Sequence, residues 1–193
     1  MSEMPHAFLV GGARTPVGRY GGALSSVRPD DLAALCIRSV VEDSGIDPSL
    51  VDEVILGNAN GAGEENRNVA RMAWLLNGYP DTVPGITVNR LCASGMSAIT
   101  IASQMVKSGA ADIVVAGGVE SMSRAPWVLP KTSRPFPMHN LEAANTTLGW
   151  RLVNDQMPSQ WTVSLGEATE QLRERFGISR ERQDAFAARS HQL

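Results

Sequence analysis

The chain is poor in the residues that build metal centres, disulfide scaffolds and membrane anchors. It holds two cysteines, Cys36 and Cys92, far apart and without CxxC spacing. That usage excludes a disulfide framework and a zinc site, so no metal is expected. The three histidines, His6, His139 and His191, carry no recognisable motif, which places them among ordinary surface or core residues. No apolar run approaches the ~20 residues that cross a bilayer, so no membrane partner is expected. The start, Met1-Ser2-Glu3-Met4-Pro5-His6, has no charged segment followed by an apolar one. It predicts no secretory signal and a cytoplasmic protein. Basic charge is not in excess either: the net charge is −3. A general nucleic-acid binder is usually basic, so nucleic acid is not expected as a partner.

What is present is an ordinary globular balance. Of 193 residues, 43% are hydrophobic and 19% charged, which argues against disorder. The length suffices for one core, or for one domain and part of another.

Along the first 120 residues, short apolar runs alternate with helical periods. Phe8-Leu9-Val10, Val54-Ile55-Leu56, Ile86-Thr87-Val88 and Ile113 to Ala116 read as strands. Helices are predicted over 30–44, 68–76 and 93–108, with Gly45, Asn77-Gly78 and Gly109 at their ends. On the first helix, Leu32, Leu35, Cys36, Ser39 and Val40 share one apolar face. Short buried strands between helices imply an α/β fold with a mostly parallel sheet covered on both faces.

The third helix carries one narrow polar stripe, Ser94, Ser97, Thr100, Gln104 and Lys107. Apolar residues fill the rest, which predicts a buried helix lying between layers. After Ser123 the composition changes. Pro126, Pro130, Pro135 and Pro137 crowd together, a density that no helix survives. A domain boundary is therefore expected between 1–123 and 124–193. Between Arg124 and Arg151 the basic residues Arg124, Lys131, Arg134 and Arg151 face one acidic residue, Glu142. Two more helices follow, one over 167–176 with Ala168, Leu172 and Phe176 on one face, and one capped by Ser179.

Cys92 is the strongest candidate for chemistry. It follows a predicted buried strand and opens the buried helix, a turn that presents a side chain at the end of a sheet. A helix N-terminus offers partial positive charge and unpaired amides, which favour an anionic sulfur and could hold a developing oxyanion. Ala93, Ser94 and Gly95 leave room for a substrate. The same residues also fit a buried structural thiol, since free cysteine is among the most buried residue types. Cys36, in mid-helix, reads as structural. The glycine turn Gly117-Gly118 and the following Val119-Glu120-Ser121 could bring backbone close to a ligand, or could simply close a strand.

The run Val88-Asn89-Arg90-Leu91-Cys92-Ala93-Ser94-Gly95-Met96-Ser97-Ala98 resembles the nucleophile motif of the thiolase family. Three more segments resemble that family in the same order: Ala13 to Gly18, Gly117 to Ser123, and Ser179 to Gln192. The resemblance covers essentially the whole chain. It implies a layered α-β-α-β-α fold in which two α/β halves each carry a mixed, mostly parallel five-stranded sheet. This chain then supplies the first half, 1–123, and part of an inserted loop domain, 124–193. On this resemblance the C-terminal half is expected to lie outside these residues.

The resemblance also implies chemistry. Cys92 is the nucleophile that carries an acyl group between acyl-CoA and coenzyme A, as a thioester. Coenzyme A is then a co-substrate, with no permanently bound cofactor, and the protein is a homodimer or homotetramer. The family's Gly-His-Pro motif and its second, glycine-flanked cysteine do not occur in these residues. The catalytic machinery is therefore expected to be incomplete in this chain. Leu165 and Gly166 fall where the family lines the pantetheine and acyl group, although the following Glu167-Ala168-Thr169-Glu170 departs from its usual Thr-Ala-Glu-Asn. Gly57 to Gly61 and Thr146 to Asn154 look most like degradative thiolases, including those acting on 3-oxoadipyl-CoA. Two other readings compete: a condensing enzyme of the same superfamily, and a short protein that binds or dimerises without catalysis.

Overall fold

The computed structural model describes residues 6–193. The residues Met1–Pro5, part of the stretch read above as lacking a signal sequence, lie outside them. The chain divides into two compact units between Trp127 and Val128.

The first unit is built on three parallel strands. They are β1 (Glu53–Gly57), β2 (Gly85–Val88) and β3 (Val114–Gly118), with β1 in the centre. Val54 pairs with Gly85 and Val115, and Gly57 with Val88 and Gly118, so all three strands end level. Helix α1 (Pro29–Ser44) precedes the sheet, α2 (Val69–Leu76) connects β1 to β2, and α3 (Ser94–Ser108) connects β2 to β3. Side chains alternate across a strand, and β1 divides the core accordingly. Val54 and Leu56 pack with Ala33, Ile37 and Val41 of α1 and Val69, Ala73 and Trp74 of α2. Ile55 points the other way, onto Ala98 and Ala102 of α3. The result is a three-layer α/β/α sandwich.

The helix limits follow from local chemistry. Pro29 starts α1 with a preset φ, and Gly45 closes it in the left-handed region at φ 67°. Asn68 caps α2 by accepting from the Arg71 amide. Gly109, at φ 73°, closes α3.

Three expectations are corrected. Phe8, Leu9 and Val10 form no strand and are 81%, 89% and 75% exposed. An apolar run becomes a strand only beside a partner edge, and this one has none among the described residues. On α1 the buried stripe is Ala33, Ala34, Ile37 and Val41, not Leu32, Leu35 and Cys36. Both stripes are apolar, and the slimmer one faces α2, where Asn77 donates to the Ala34 carbonyl. On α3 the expected burial is corrected in part: Thr100 and Gln104 are exposed as expected, but the first turn of the polar stripe is not. Ser94, Ser97, Ala98 and Ala102 are buried, whereas Met96 is 67% exposed and Ile99 and Ile101 are open to solvent. Small residues let the helix backbone lie close to the sheet, and the Ser94 hydroxyl finds partners in the adjoining turn.

The boundary before the second unit falls within β4 (Trp127–Val128), which pairs with β5 (Ala144–Asn145) in a two-stranded ribbon. A 3₁₀ turn, Ser159–Trp161, precedes α4 (Leu165–Arg175) and α5 (Arg180–Gln192). Thr146 is the one buried residue among those described in this unit. The expected apolar face of α4 is open, with both Leu172 and Phe176 exposed. No described helix is long and apolar enough to cross a membrane.

Candidate active site

The three strands of the first unit end together, and the turns that leave them form one cluster. Two glycines allow the first turn of α3 to lie against these strand ends. A Cβ on Gly57 would stand 2.3 Å from the Gly95 amide nitrogen, and one on Gly118 would stand 3.0 Å from the Gly57 carbonyl oxygen. Any side chain at Gly57 would push the helix off the sheet.

Cys92 lies in the turn between β2 and α3 and is exposed. The turn is tightly specified. The Ala93 amide donates to the Arg90 carbonyl at 3.1 Å, and the Ser94 amide to the Leu91 carbonyl at 3.0 Å. The Ser94 hydroxyl accepts from the Arg90 amide at 2.8 Å and donates to the Leu91 carbonyl at 2.6 Å. Leu91 itself is held at φ 49°, a left-handed conformation uncommon for a side chain of its size. Among the described residues no side chain caps α3, and the amides of Gly95 and Met96 find no acceptor. The Cys92 sulfur has no hydrogen-bond partner among the described residues. An exposed thiol therefore lies in the turn that leads into a helix start, and a helix start favours negative charge.

The sequence names the segments that leave the three strands but gives no role to several polar side chains in them. The Glu120 carboxylate accepts from the amides of Ala59 at 2.8 Å and Asn60 at 3.1 Å. It also receives the Asn58 side chain, which bonds the Val119 carbonyl as well. Asn89 donates to the Ala59 carbonyl and accepts from the Leu91 amide. Single polar residues at strand ends have no periodicity, so pattern reading passes over them. Their one signal was position, directly after β1, β2 and β3.

The other predicted residues are placed as follows. Cys36 is half-buried on α1 and lines a cavity of about 390 Å³ with Arg14, Arg19, Tyr20, Leu32 and Met122, so its expected place in the apolar core is corrected. Leu165 and Gly166 form the first turn of α4 in the second unit. Leu165 is 82% exposed, and Ser164 caps the helix by accepting from the Glu167 amide. Arg124, counted in the basic stretch, is paired with Glu64 through two hydrogen bonds, one of 2.5 Å from Nη2. That bond holds the Glu64 carboxyl below its ordinary pKa. Lys131 and Arg134 are exposed. No group of His, Cys, Asp and Glu able to hold a metal occurs among the described residues.

The family description "Thiolase, N-terminal domain" matches residues 7–193. The chain is 53% identical over 191 residues to the 3-oxoadipyl-CoA/3-oxo-5,6-dehydrosuberyl-CoA thiolase of Escherichia coli K12, covering 98% of this chain and 47% of that protein. It is 50% identical to the beta-ketoadipyl-CoA thiolase of Pseudomonas knackmussii, over 96% of this chain and 47% of the relative. Among solved structures, the Bacillus anthracis acetyl-CoA acetyltransferase matches with a TM-score of 0.85 and 39% identity, over 98% of this chain and 46% of that one. The chain thus spans about half the length of the relatives it matches. The match along nearly its whole length shows that this chain belongs to the thiolase family, by its N-terminal domain.

Proposed function

We propose that the protein is a thiolase-type acyltransferase that exchanges acyl groups between 3-ketoacyl-CoA and coenzyme A, with Cys92 as the acyl carrier. The Cys92 sulfur attacks the 3-keto carbon. The bond between C2 and C3 breaks, its electron pair goes to C2, and a proton completes the released acyl-CoA. The remaining acyl group stays on Cys92 as a thioester, and the thiol of coenzyme A takes it and regenerates the cysteine. The observation that carries this reading is the exposed Cys92 thiol in the turn that opens α3, just before amides that find no acceptor among the described residues.

On this reading, residues 1–123 are the α/β half that holds the nucleophile, and 124–193 belong to the loop domain. Leu165 and Gly166 border the acyl and pantetheine portions of the substrate. The basic residues Lys131 and Arg134 suit the coenzyme A phosphates. The similarity to two relatives named for 3-oxoadipyl-CoA or beta-ketoadipyl-CoA supports a 3-keto dicarboxylic acyl-CoA as substrate. A cytoplasmic homodimer or homotetramer completes the proposal, on family resemblance.

The test is coenzyme-A-dependent cleavage of 3-oxoadipyl-CoA and acetoacetyl-CoA by the protein at its natural length. Cys92→Ala is expected to abolish both while leaving circular dichroism unchanged. Turnover by a folded Cys92→Ala protein would refute the role of Cys92. Faster cleavage of acetoacetyl-CoA than of 3-oxoadipyl-CoA would refute the substrate class alone.

A further inference from the structure

We propose that Glu120 and Asn89 are positioning residues for Cys92, linked to it by one continuous line of hydrogen bonds across the ends of the three strands. The inference rests on the reading of Cys92 as the acyl carrier.

The turn before Cys92 contains the conformation that most needs support. Leu91 sits at φ 49°, and a left-handed conformation at a bulky residue persists only where its surroundings hold it. Asn89 provides that hold. Its Oδ1 accepts from the Leu91 amide at 2.9 Å, and its Nδ2 donates to the Ala59 carbonyl at 3.1 Å. Asn89 thereby ties the turn after β2 to the turn after β1.

The turn after β1 has no regular structure of its own and is held from the other side. Glu120, after β3, accepts from the amides of Ala59 and Asn60 and from the side chain of Asn58. Asn58 is 3% exposed and spans from β1 to the Val119 carbonyl. The line therefore runs from Glu120 through the Ala59 peptide and Asn89 to Leu91, the neighbour of Cys92. A carboxylate is suited to its place, because it accepts two backbone amides at once and offers no competing donor.

Glu120 and Asn89 are both exposed, so neither supports the apolar core. Their effect falls on the placement of the Cys92 sulfur relative to the helix start. Misplacement of a reacting atom by about 1 Å can reduce a rate by about 100-fold.

The experiment measures acylation of Cys92 by acetyl-CoA in the protein at its natural length. Its rate constant and half-saturation are read together with the unfolding midpoint and with iodoacetamide labelling of Cys36 as an internal reference. Asn89→Ala and Glu120→Gln are each expected to lower the saturated acylation rate by about tenfold or more. Half-saturation, Cys36 labelling and the midpoint are expected to stay unchanged. Asn89→Asp, which keeps the acceptor for the Leu91 amide but loses the donor to the Ala59 carbonyl, is expected to recover only part of the rate. Acylation at the wild-type rate in both variants would overturn the proposal. So would a lowered midpoint with faster Cys36 labelling in both, which would mark the network as structural only. If wild-type Cys92 is not acylated at all, it is the acyl-carrier reading that fails, and the two failures are distinct.

Discussion

The two units of this chain are held together by different physics. In the first, nearly all the buried apolar side chains fall into two clusters on either face of one strand, and Trp74, Val69 and Ile55 are wholly enclosed. In the second, two helices stand with no buried residue between them. Their order comes from local polar chemistry. Ser164 and Ser179 cap them, and the ion pairs Arg173–Glu170 and Arg180–Asp184 join neighbouring turns. Exposed pairs of this kind contribute only a few tenths of a kcal/mol each, and a cap about 1. Burial of a large side chain contributes more than any one of them. The candidate nucleophile sits on the unit with the core, in a turn that hydrogen bonds hold at the ends of the packed strands.

The largest contrast should come from aromatic truncation. Trp74 fills the first core, donates to the Pro80 carbonyl at 2.9 Å and lies 4.7 Å from the Tyr79 ring. Trp74→Ala is expected to lower stability by about 3–5 kcal/mol in denaturant unfolding. Next, Gly57→Ala should cost about 1–3 kcal/mol, because its Cβ meets the Gly95 backbone and the helix must shift. The same variant should slow labelling or acylation of Cys92, and a wild-type rate would show that the close approach does not set the thiol's position.

A smaller effect depends on pH. Glu64 is held below its ordinary pKa by its hydrogen bond from Arg124. A lowered folded value means that stability is present above the unfolded pKa and is lost as pH falls through the folded one. Acid unfolding of Glu64→Gln should therefore show a weaker pH dependence in that range, by about 1 kcal/mol at most. At the bottom of the scale, Phe186→Ala on exposed α5 should change stability by less than about 0.5 kcal/mol. A loss comparable to that of Trp74→Ala would show that the second unit has a core after all.

Much of the fold is legible in the sequence, and the residues show why. Gly45 and Gly109 ended their helices, Ser179 capped α5, and the runs 54–56 and 86–88 paired as parallel strands. Such signals act within a few residues. Which stripe of α1 and α3 faces inward was not legible, because it is decided by distant glycines and by the neighbouring helix. Phe8, Leu9 and Val10 had the composition of a strand but no edge to join. The motif around Cys92 marked the residue itself. It did not reveal that Glu120, far along the chain, supports the same turn, because a bond between two loops leaves no pattern in either.

The most direct measurement is to mix the protein at its natural length with isotopically labelled acetyl-CoA, quench in acid and map the modified peptides. The account predicts acetyl on the peptide containing Cys92, none on Cys36, and its release on adding coenzyme A. Acetyl found on Cys36 and not on Cys92, or a Cys92 adduct that coenzyme A does not remove, would contradict it.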